Sequence, residues 1–310
     1  MSLALTLKQM RYVEAAGRLG SITRASEAMS ISQSSVTAAI DSLEAELGFD
    51  IFNRVPAKGL QATPAGLDAL RLVSRFLSHH RDFETELQAI GGVLTGTIRL
   101  ACFATAAATF LPPAIERFQA DIPGVRFELV EGNMDTVIDF LESGQADLAF
   151  SYKEVITDQQ SFELMVDLPH YAMVNAQDPL ARQPSVRLAD LTNLPMISLS
   201  LPRSRAYYSD LFEKAGLSVN VVHTSSSVEM IRTLVASGFG FTILNARPAT
   251  SSLAQRGCSV VPISDPIPAR PFGIVTQSRI VSPRPVRHFM EHCTALRDEG
   301  VFEEMAVRLP

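Results

Sequence analysis

The chain has 310 residues, which suits two or three domains better than one core. It is 46% hydrophobic, 19% charged and carries a net charge of −6, so it reads as globular with large buried surfaces. The whole-chain charge gives no electrostatic sign of nucleic acid, and any DNA contact must rest on local features. The three cysteines, Cys102, Cys258 and Cys293, are far apart and odd in number. They point to no disulfide framework and no metal site, and packing roles are expected for them. Charges interrupt the first residues before a signal-peptide core forms, and no apolar run reaches the ~20 residues of a membrane span. A cytosolic protein with no cofactor is expected.

In chain order, Thr6 caps a helix that turns Leu7, Met10 and Val13 inward. Ser21 caps a second helix with Ile22, Ala25 and Met29 inward, and Ser30 or Ser32 caps a third with Val36, Ile40, Leu43 and Leu47 inward. Gly48 ends that helix. DIFNRV and LQAT flank the turn PAKG, the pattern of a hairpin. Thr63-Pro64 then starts a long helix to Ile90, roughly 40 Å in length. Its stripe of Leu67, Leu70, Val73, Phe76, Leu77, Phe83, Leu87 and Ile90 suits pairing with another copy.

From Thr97 strands and helices alternate: IRLACF, TFLPPAIERFQADI, VRFELVEG, MDTVIDFLESG and ADLAFSY. A parallel sheet with crossover helices is expected. A second α/β lobe begins near Asp167 with HYAMVNA, MISLS, RAYYSDLFEKAG, VNVVHT, SVEMIRTLVASG and FTILN. FGIVTQ and a helix from Pro285 follow, and a return to the first lobe gives two lobes joined by two crossovers.

Ser21 to Glu44 has the shape of a helix-turn-helix. On the third helix Ser34, Ala38 and Ala45 point away from Val36, with Ser35, Thr37, Asp41 and Ser42 on the flanks. A solvated face normally carries Lys, Glu or Gln there. Small residues admit a close surface, Ser, Thr and Gln bond base edges or phosphates, and Ala contacts a thymine methyl. No Lys or Arg occurs between Arg24 and Arg54, and residues 1–63 balance six basic against six acidic side chains. A single copy is therefore expected to bind DNA weakly, with a shallow salt dependence of about 0.9 log units per phosphate neutralised.

GSITRASEAMSISQSSVTAAIDSLEAELGFDIFNR followed by LQATPAG resembles the N-terminal domain of the LysR-type transcriptional regulators. The family pattern falls on Gly20–Ile22, Ala25–Met29, Ser32–Thr37, Leu43–Gly48, Ile51–Arg54 and Gln61–Gly66. The resemblance covers essentially the whole chain. It implies an α-rich winged helix-turn-helix over 1–63, a dimerising linker helix over 64–92, and an α/β effector domain over 93–310. That last part is two-lobed and similar to periplasmic solute-binding proteins, with one lobe at about 97–166 and 271–305 and the other at about 167–270. It implies that Gln33, Ser34, Ser35 and Thr37 face the major groove and that Arg54 holds DNA backbone at the wing base. Lys58 and Arg24 are further phosphate candidates. Ala38 departs from the family, which often has Arg, Gln or His there, so its contact is apolar or absent.

In such two-lobed folds, ligands sit outside the carboxyl ends of strands. Thr105 after IRLACF, Asn133 after VRFELVEG, the stretch SLSLPRSR, and Ser225 and Ser226 before the helix SVEMIRTLVASG meet that condition. The family implies effector contacts at Thr105, Asn133, Ser204, Ser225 and Ser226, and near Phe103, Tyr152, Pro202 and Arg203. Plain helix capping is the competing explanation for the Ser, Thr and Asn groups. They suit a carboxylate or another polar small molecule. One branch of the family senses peroxide through a cysteine pair, but no close pair is evident here.

The expected protein is a regulator that binds double-stranded promoter DNA, answers to a small organic effector, and self-associates as a dimer or tetramer. The alternative is a cytosolic small-molecule-binding protein of the solute-binding fold without a transcriptional role. An enzyme needs a nucleophile–base pair or a metal cluster. His288 and His292 stand four apart but lack the glutamate of a His-Glu-x-x-His metal motif.

Overall fold

The computed structural model describes residues 5–55, 59–90, 94–248, 257–278 and 280–310. The chain divides into two compact units, residues 1–91 with 142–145, and residues 92–141 with 146–310. No helix among the described residues is long and apolar enough to cross a membrane.

The first unit opens with three helices, α1 (Leu7–Leu19), α2 (Ile22–Met29) and α3 (Gln33–Leu47). Each begins at a side-chain cap: Thr6 in a capping box with Gln9, then Ser21, then Ser32. Ser32 is therefore the cap of α3, while Ser30 closes α2 in the left-handed region at φ 53°. Val13, Ala16, Ala25, Val36, Ile40 and Leu43 meet in one core with Ile51. A two-stranded hairpin follows, β1 (Phe52–Val55) and β2 (Gly59–Ala62), antiparallel with Phe52 opposite Ala62. Then comes α4 (Pro64–Ala89), 26 residues long.

Close approaches fix how the hairpin and α4 join this core. A Cβ on Gly66 would lie 2.0 Å from the Ile51 carbonyl oxygen, so only glycine fits in the first turn of α4. Thr63 donates its hydroxyl to the Asp50 carbonyl at 2.8 Å and accepts from the Gly66 N–H at 2.9 Å. From α3, Glu44 Oε1 accepts the N–H groups of Ile51 at 2.7 Å and Phe52 at 3.0 Å. Leu70 and Val73 of α4 pack on the three-helix core, whereas Leu72, Phe76, Phe83, Leu87 and Ile90 are exposed.

The second unit contains two α/β lobes. The first lobe supplies β3 (Gly96–Phe103), α5 (Ala107–Asp121), β4 (Val125–Gly132), α6 (Met134–Glu142), β5 (Leu148–Tyr152) and β6 (Gln160–Leu168). The chain returns to it late, through β12 (Arg270–Gln277) and α10 (Arg284–Asp298). The sheet order is β4-β3-β5-β12-β6. Strands β4, β3 and β5 run parallel, but β12 is antiparallel to both β5 and β6, so the sheet is mixed and not wholly parallel as expected. Strand β6 has no counterpart in the sequence reading. Its partner, β12, lies about a hundred residues away, and a register shift between Phe272 and Gly273 interrupts any simple alternation.

The second lobe holds β7 (Tyr171–Asn175), α7 (Leu188–Leu191), β8 (Pro195–Leu199), α8 (Ser204–Lys214), β9 (Asn220–Ser225), α9 (Val228–Ala236), β10 (Thr242–Leu244) and β11 (Cys258–Pro262). Strand β7 lies between β10 and β11, both antiparallel to it, and β8 pairs with β9 in parallel. Single bridges, Met196 to Phe241 and Val186 to Ile263, extend these pairings. Strand β11 was also not anticipated. All three cysteines are buried and none forms a disulfide, and burial pushes the Cys102 and Cys293 thiols up, away from reactive thiolate.

Glu44 is the acidic residue of α3 that anchors the hairpin. Replacing it with alanine strands two N–H groups and is expected to cost about 2 kcal/mol in urea unfolding. Glu44→Gln, which keeps one acceptor, should lose less than half of that. Equal losses for the two variants would show that the carboxylate geometry does not matter.

Candidate DNA-reading helix and effector cleft

On α3 the small-residue face lies open. Gln33, Ser34, Ser35 and Ala38 are exposed and Thr37 is half-buried. The Ser32 hydroxyl lies 2.8 Å from both Ser34 Oγ and Ser35 Oγ, so the first turn is a linked cluster of hydroxyls. The N-terminal half of α3 has no acidic side chain in its first turn, and the helix dipole there favours an anion. Of the acidic residues toward the other end, Glu44 is committed to the hairpin and Asp41 is exposed. Arg24 is exposed, and its guanidinium donates to the Leu19 carbonyl at the end of α1. Lys58 and the side chain of Arg54 lie outside the described residues.

The second unit brings two rows of strand ends together. Thr105 and Asn133 follow β3 and β4, which run side by side, and Ala104 N–H donates to the Gly132 carbonyl at 3.0 Å. The other row is built by β8 and β9, whose last residues, Leu199 and Ser225, are partners, with Ser200 N–H bonded to the Ser225 carbonyl at 2.9 Å. Arg203 Nε of the second row reaches Asp135 Oδ1 of the first at 2.6 Å, so the two rows face each other across a cleft. Arg203 has φ 65° at the entrance to α8, a region that side chains other than glycine seldom occupy.

The structure separates the expected cleft residues by what their polar atoms already do. Thr105 is buried, and α5 begins after Ala106 with no side-chain cap, so the Thr105 hydroxyl is not its cap. Asn133 does cap α6, accepting from Asp135 N–H at 2.9 Å and Thr136 N–H at 3.1 Å. Helix α9 opens at Ser227, which accepts from Met230 N–H, and not at Ser225 or Ser226 as expected. Ser225 Oγ accepts from Ser227 N–H at 3.1 Å, and Ser226 is exposed. Ser204 is buried with its N–H turned to the Leu201 and Pro202 carbonyls, while Pro202 and Arg203 are exposed.

Phe103 and Tyr152, expected near the effector, are both interior, at 2% and 1% exposure. Their rings meet edge to face, and Tyr152 meets Phe272 in the same way. Residue Asp135 was missed by sequence reasoning. The signal was present, since an aspartate in the first turn of α6 and an arginine just before α8 both sit at strand-end helix starts.

The hinge of the cleft is built around Arg270, also unanticipated. Its guanidinium lies 4.0 Å from the ring of Tyr152 and 4.2 Å from that of Tyr207. Nε and Nη2 donate to the two Glu154 carboxylate oxygens, each at 2.7 Å. His170 stacks on Tyr207 at an interplanar angle of 14°, with Nε2 2.8 Å from the Tyr207 hydroxyl. Asn245 Oδ1 accepts from the Tyr208 hydroxyl at 2.9 Å, and its Nδ2 donates to the Leu168 carbonyl at 3.3 Å. Leu168 and His170 belong to the outgoing crossing between lobes, and Arg270 ends the return crossing. Burial, and secondarily the charge of Arg270, pulls the His170 imidazole down to about 4. Burial pushes the Tyr207 and Tyr208 hydroxyls up to about 12.

Residues 7–67 match the family model "Bacterial regulatory helix-turn-helix protein, lysR family", and residues 91–297 match "LysR substrate binding domain". A transcriptional regulator named CysB from Burkholderia cenocepacia is 30% identical over 266 residues, 84% of this chain and 83% of that protein. The crystal structure of HinK, a LysR family transcriptional regulator from Pseudomonas aeruginosa, is 29% identical with a TM-score of 0.59, covering 96% of this chain and 99% of that one. Full-length CbnR complexed with its target DNA shares the fold at a TM-score of 0.68 and 19% identity, over 94% and 99% of the two chains.

His170 makes stability acid-sensitive in a defined window. Its folded value lies below the ordinary 6.5, so between pH 6.5 and about 4 the unfolded chain takes up a proton that the folded chain refuses. Stability should fall with pH through that window. In urea unfolding at pH 7 and pH 4.5, wild type is expected to lose on the order of 2 kcal/mol more than His170→Asn. An identical pH response of the two proteins would remove His170 from the hinge account.

Proposed function

The chain belongs to the LysR family of bacterial transcriptional regulators, and from that premise we propose how its two units divide the work. It is a transcription regulator with a DNA-binding helix-turn-helix and an effector-binding domain, not an enzyme. Residues 1–63 are the DNA-binding part, with Gln33, Ser34, Ser35, Thr37 and Ala38 on the base edges of promoter DNA and Arg24, Arg54 and Lys58 on phosphates. The observation that carries this reading is the exposed first half of α3, which is free of acidic residues and made of small groups that let a groove come close.

Residues 64–92 are the self-association element. The support is the row of exposed apolar side chains along α4, Leu72, Phe76, Phe83 and Leu87 among them, which water disfavours and a second copy would cover. Two or four linked copies raise the effective concentration of each weakly held helix at its half-site. The protein acts in the cytoplasm.

Residues 93–310 hold the effector, a small organic molecule with a carboxylate or similar polar group. Thr105, Asn133, Pro202, Arg203, Ser204, Ser225 and Ser226 surround it, over an interior floor that includes Phe103 and Tyr152. Binding shifts the population of lobe arrangements, and the difference in affinity between arrangements is the signal. Asp135 holds Arg203 by an ion pair that an anionic effector would have to replace.

The test is a mobility-shift assay with the DNA next to the protein's own gene, read with and without effector candidates found by thermal shift. Ser34→Glu puts a carboxylate at the groove face and is expected to weaken the specific complex at least a hundredfold without changing the melting temperature. Thr105→Val is expected to keep DNA binding and lose the effector response, while Asp135→Asn responds at lower effector concentration. A wild-type chain with no specific complex at moderate salt overturns the reading.

A further inference from the structure

A cavity of about 770 Å³ lies on the hinge, within the size range of small-molecule sites. Its walls are apolar: Leu188 from α7, Leu211 from α8, and Ile267 and Pro268 from the return crossing. Tyr207, Glu154 and Arg270 line it too, so the Arg270–Glu154 pair and the ring stacked on it form part of its surface. The effector cleft meets α8 at its first turn, through Arg203 and Ser204. The cavity meets the last turn of α8, through Lys214 and Ala215. The two places are about 15 Å apart along the helix axis.

The charges around the cavity select the ligand. Glu154 is held by Arg270 through both oxygens. Asp265 accepts from Leu188 N–H at 2.8 Å, at the start of α7. Lys214, exposed at the mouth, makes no ion pair among the described residues. We propose that this cavity is a second small-molecule site, separate from the cleft, for a compact amphipathic monoanion whose apolar body lies against Leu188, Leu211 and Ile267 and whose carboxylate or sulfonate pairs with Lys214.

The walls explain what such a ligand does. Glu154 belongs to the first lobe, Leu211 and Lys214 to the second, and Ile267 and Pro268 to the chain that joins them. A body wedged among all three binds best at one lobe angle and stabilises that angle by its differential affinity. Occupancy here therefore couples to occupancy of the cleft, and the coupling is reciprocal.

The probe is 8-anilinonaphthalene-1-sulfonate, titrated into the full chain with fluorescence and melting temperature as readouts. Saturation at one dye per chain is expected, with naphthalene-1-sulfonate competing and 1-naphthylmethylammonium not competing. Lys214→Glu removes the counter-ion and Ala215→Trp fills the mouth; both residues are exposed, so both variants should fold. Each should bind the dye at least tenfold more weakly than wild type and lose the dye-induced rise in melting temperature, while Thr105→Val binds as wild type does. Equal dye binding in wild type and both cavity variants would overturn the site, since the dye would then lie elsewhere, as on the apolar face of α4. Loss of binding in Thr105→Val alone would place the dye in the cleft, and stronger competition by the ammonium would reverse the ligand's charge. Either result overturns the proposal.

Discussion

A buried arginine, Arg270, is the contact on which the effector-binding unit depends. An unpaired charge in the interior costs several kcal/mol, so its surroundings must be built for it. Here Glu154 matches the guanidinium fork with two short bonds, and Tyr152 and Tyr207 cover its two faces. Only a planar, permanently charged group meets both demands, and the compact ammonium of lysine would lose the stacking and the second bond. The partners come from different stretches of chain: Tyr152 from the end of β5 and Glu154 from the turn just after it, Tyr207 from α8, and Arg270 itself from the start of β12. Satisfying one charge thus pins the point where both crossings pass between the lobes. A neutral His170 is part of the same economy, because a second cation stacked on Tyr207 would repel the first.

The helix proposed to read DNA, α3, follows the opposite rule. Its open face carries no cation, and its glutamate Glu44 is turned away to hold two N–H groups of the hairpin. An acidic residue on a helix meant for a polyanion looks misplaced until its partners are seen. Glu44 sits in the second half of α3, its carboxylate is consumed, and the first half is left to hydroxyls and a favourable dipole. Under the proposed function, shape and hydrogen bonding would do the reading, with charge left to neighbouring segments and to the number of copies.

Much of this was legible in the chain. The helix caps, the alternation of β3 through β5 and the apolar row of α4 are local patterns, and local patterns survive without knowledge of partners. The failures share one cause. Strands β6 and β11 are short and defined by partners far along the chain, β12 for the first and β7 for the second. Among Ser225, Ser226 and Ser227 every residue is chemically fit to cap α9, and the choice falls where β9 stops pairing with β8. Phe103 and Tyr152, placed near the effector by the family resemblance, face inward where a guanidinium or another ring covers them, which the local sequence does not show. Arg270 stood in plain view before an apolar strand, but sequence alone cannot tell a charge at a strand's edge from one sealed inside.

Helix α8 ties these parts together. Arg203, Tyr207 and Leu211 are spaced four apart, so they lie along one side of the helix from its entrance onward. The first reaches Asp135 across the cleft, the second stacks in the hinge, and the third walls the cavity beyond it. Packed interiors do not deform continuously; they move between discrete arrangements. A helix bound at its entrance to an ion pair, at its middle to a stacked cation and at its end to a cavity wall must move as a body. A change in partner for Arg203 is then felt at Tyr207, and the same rigidity carries a change at the hinge back to the cleft.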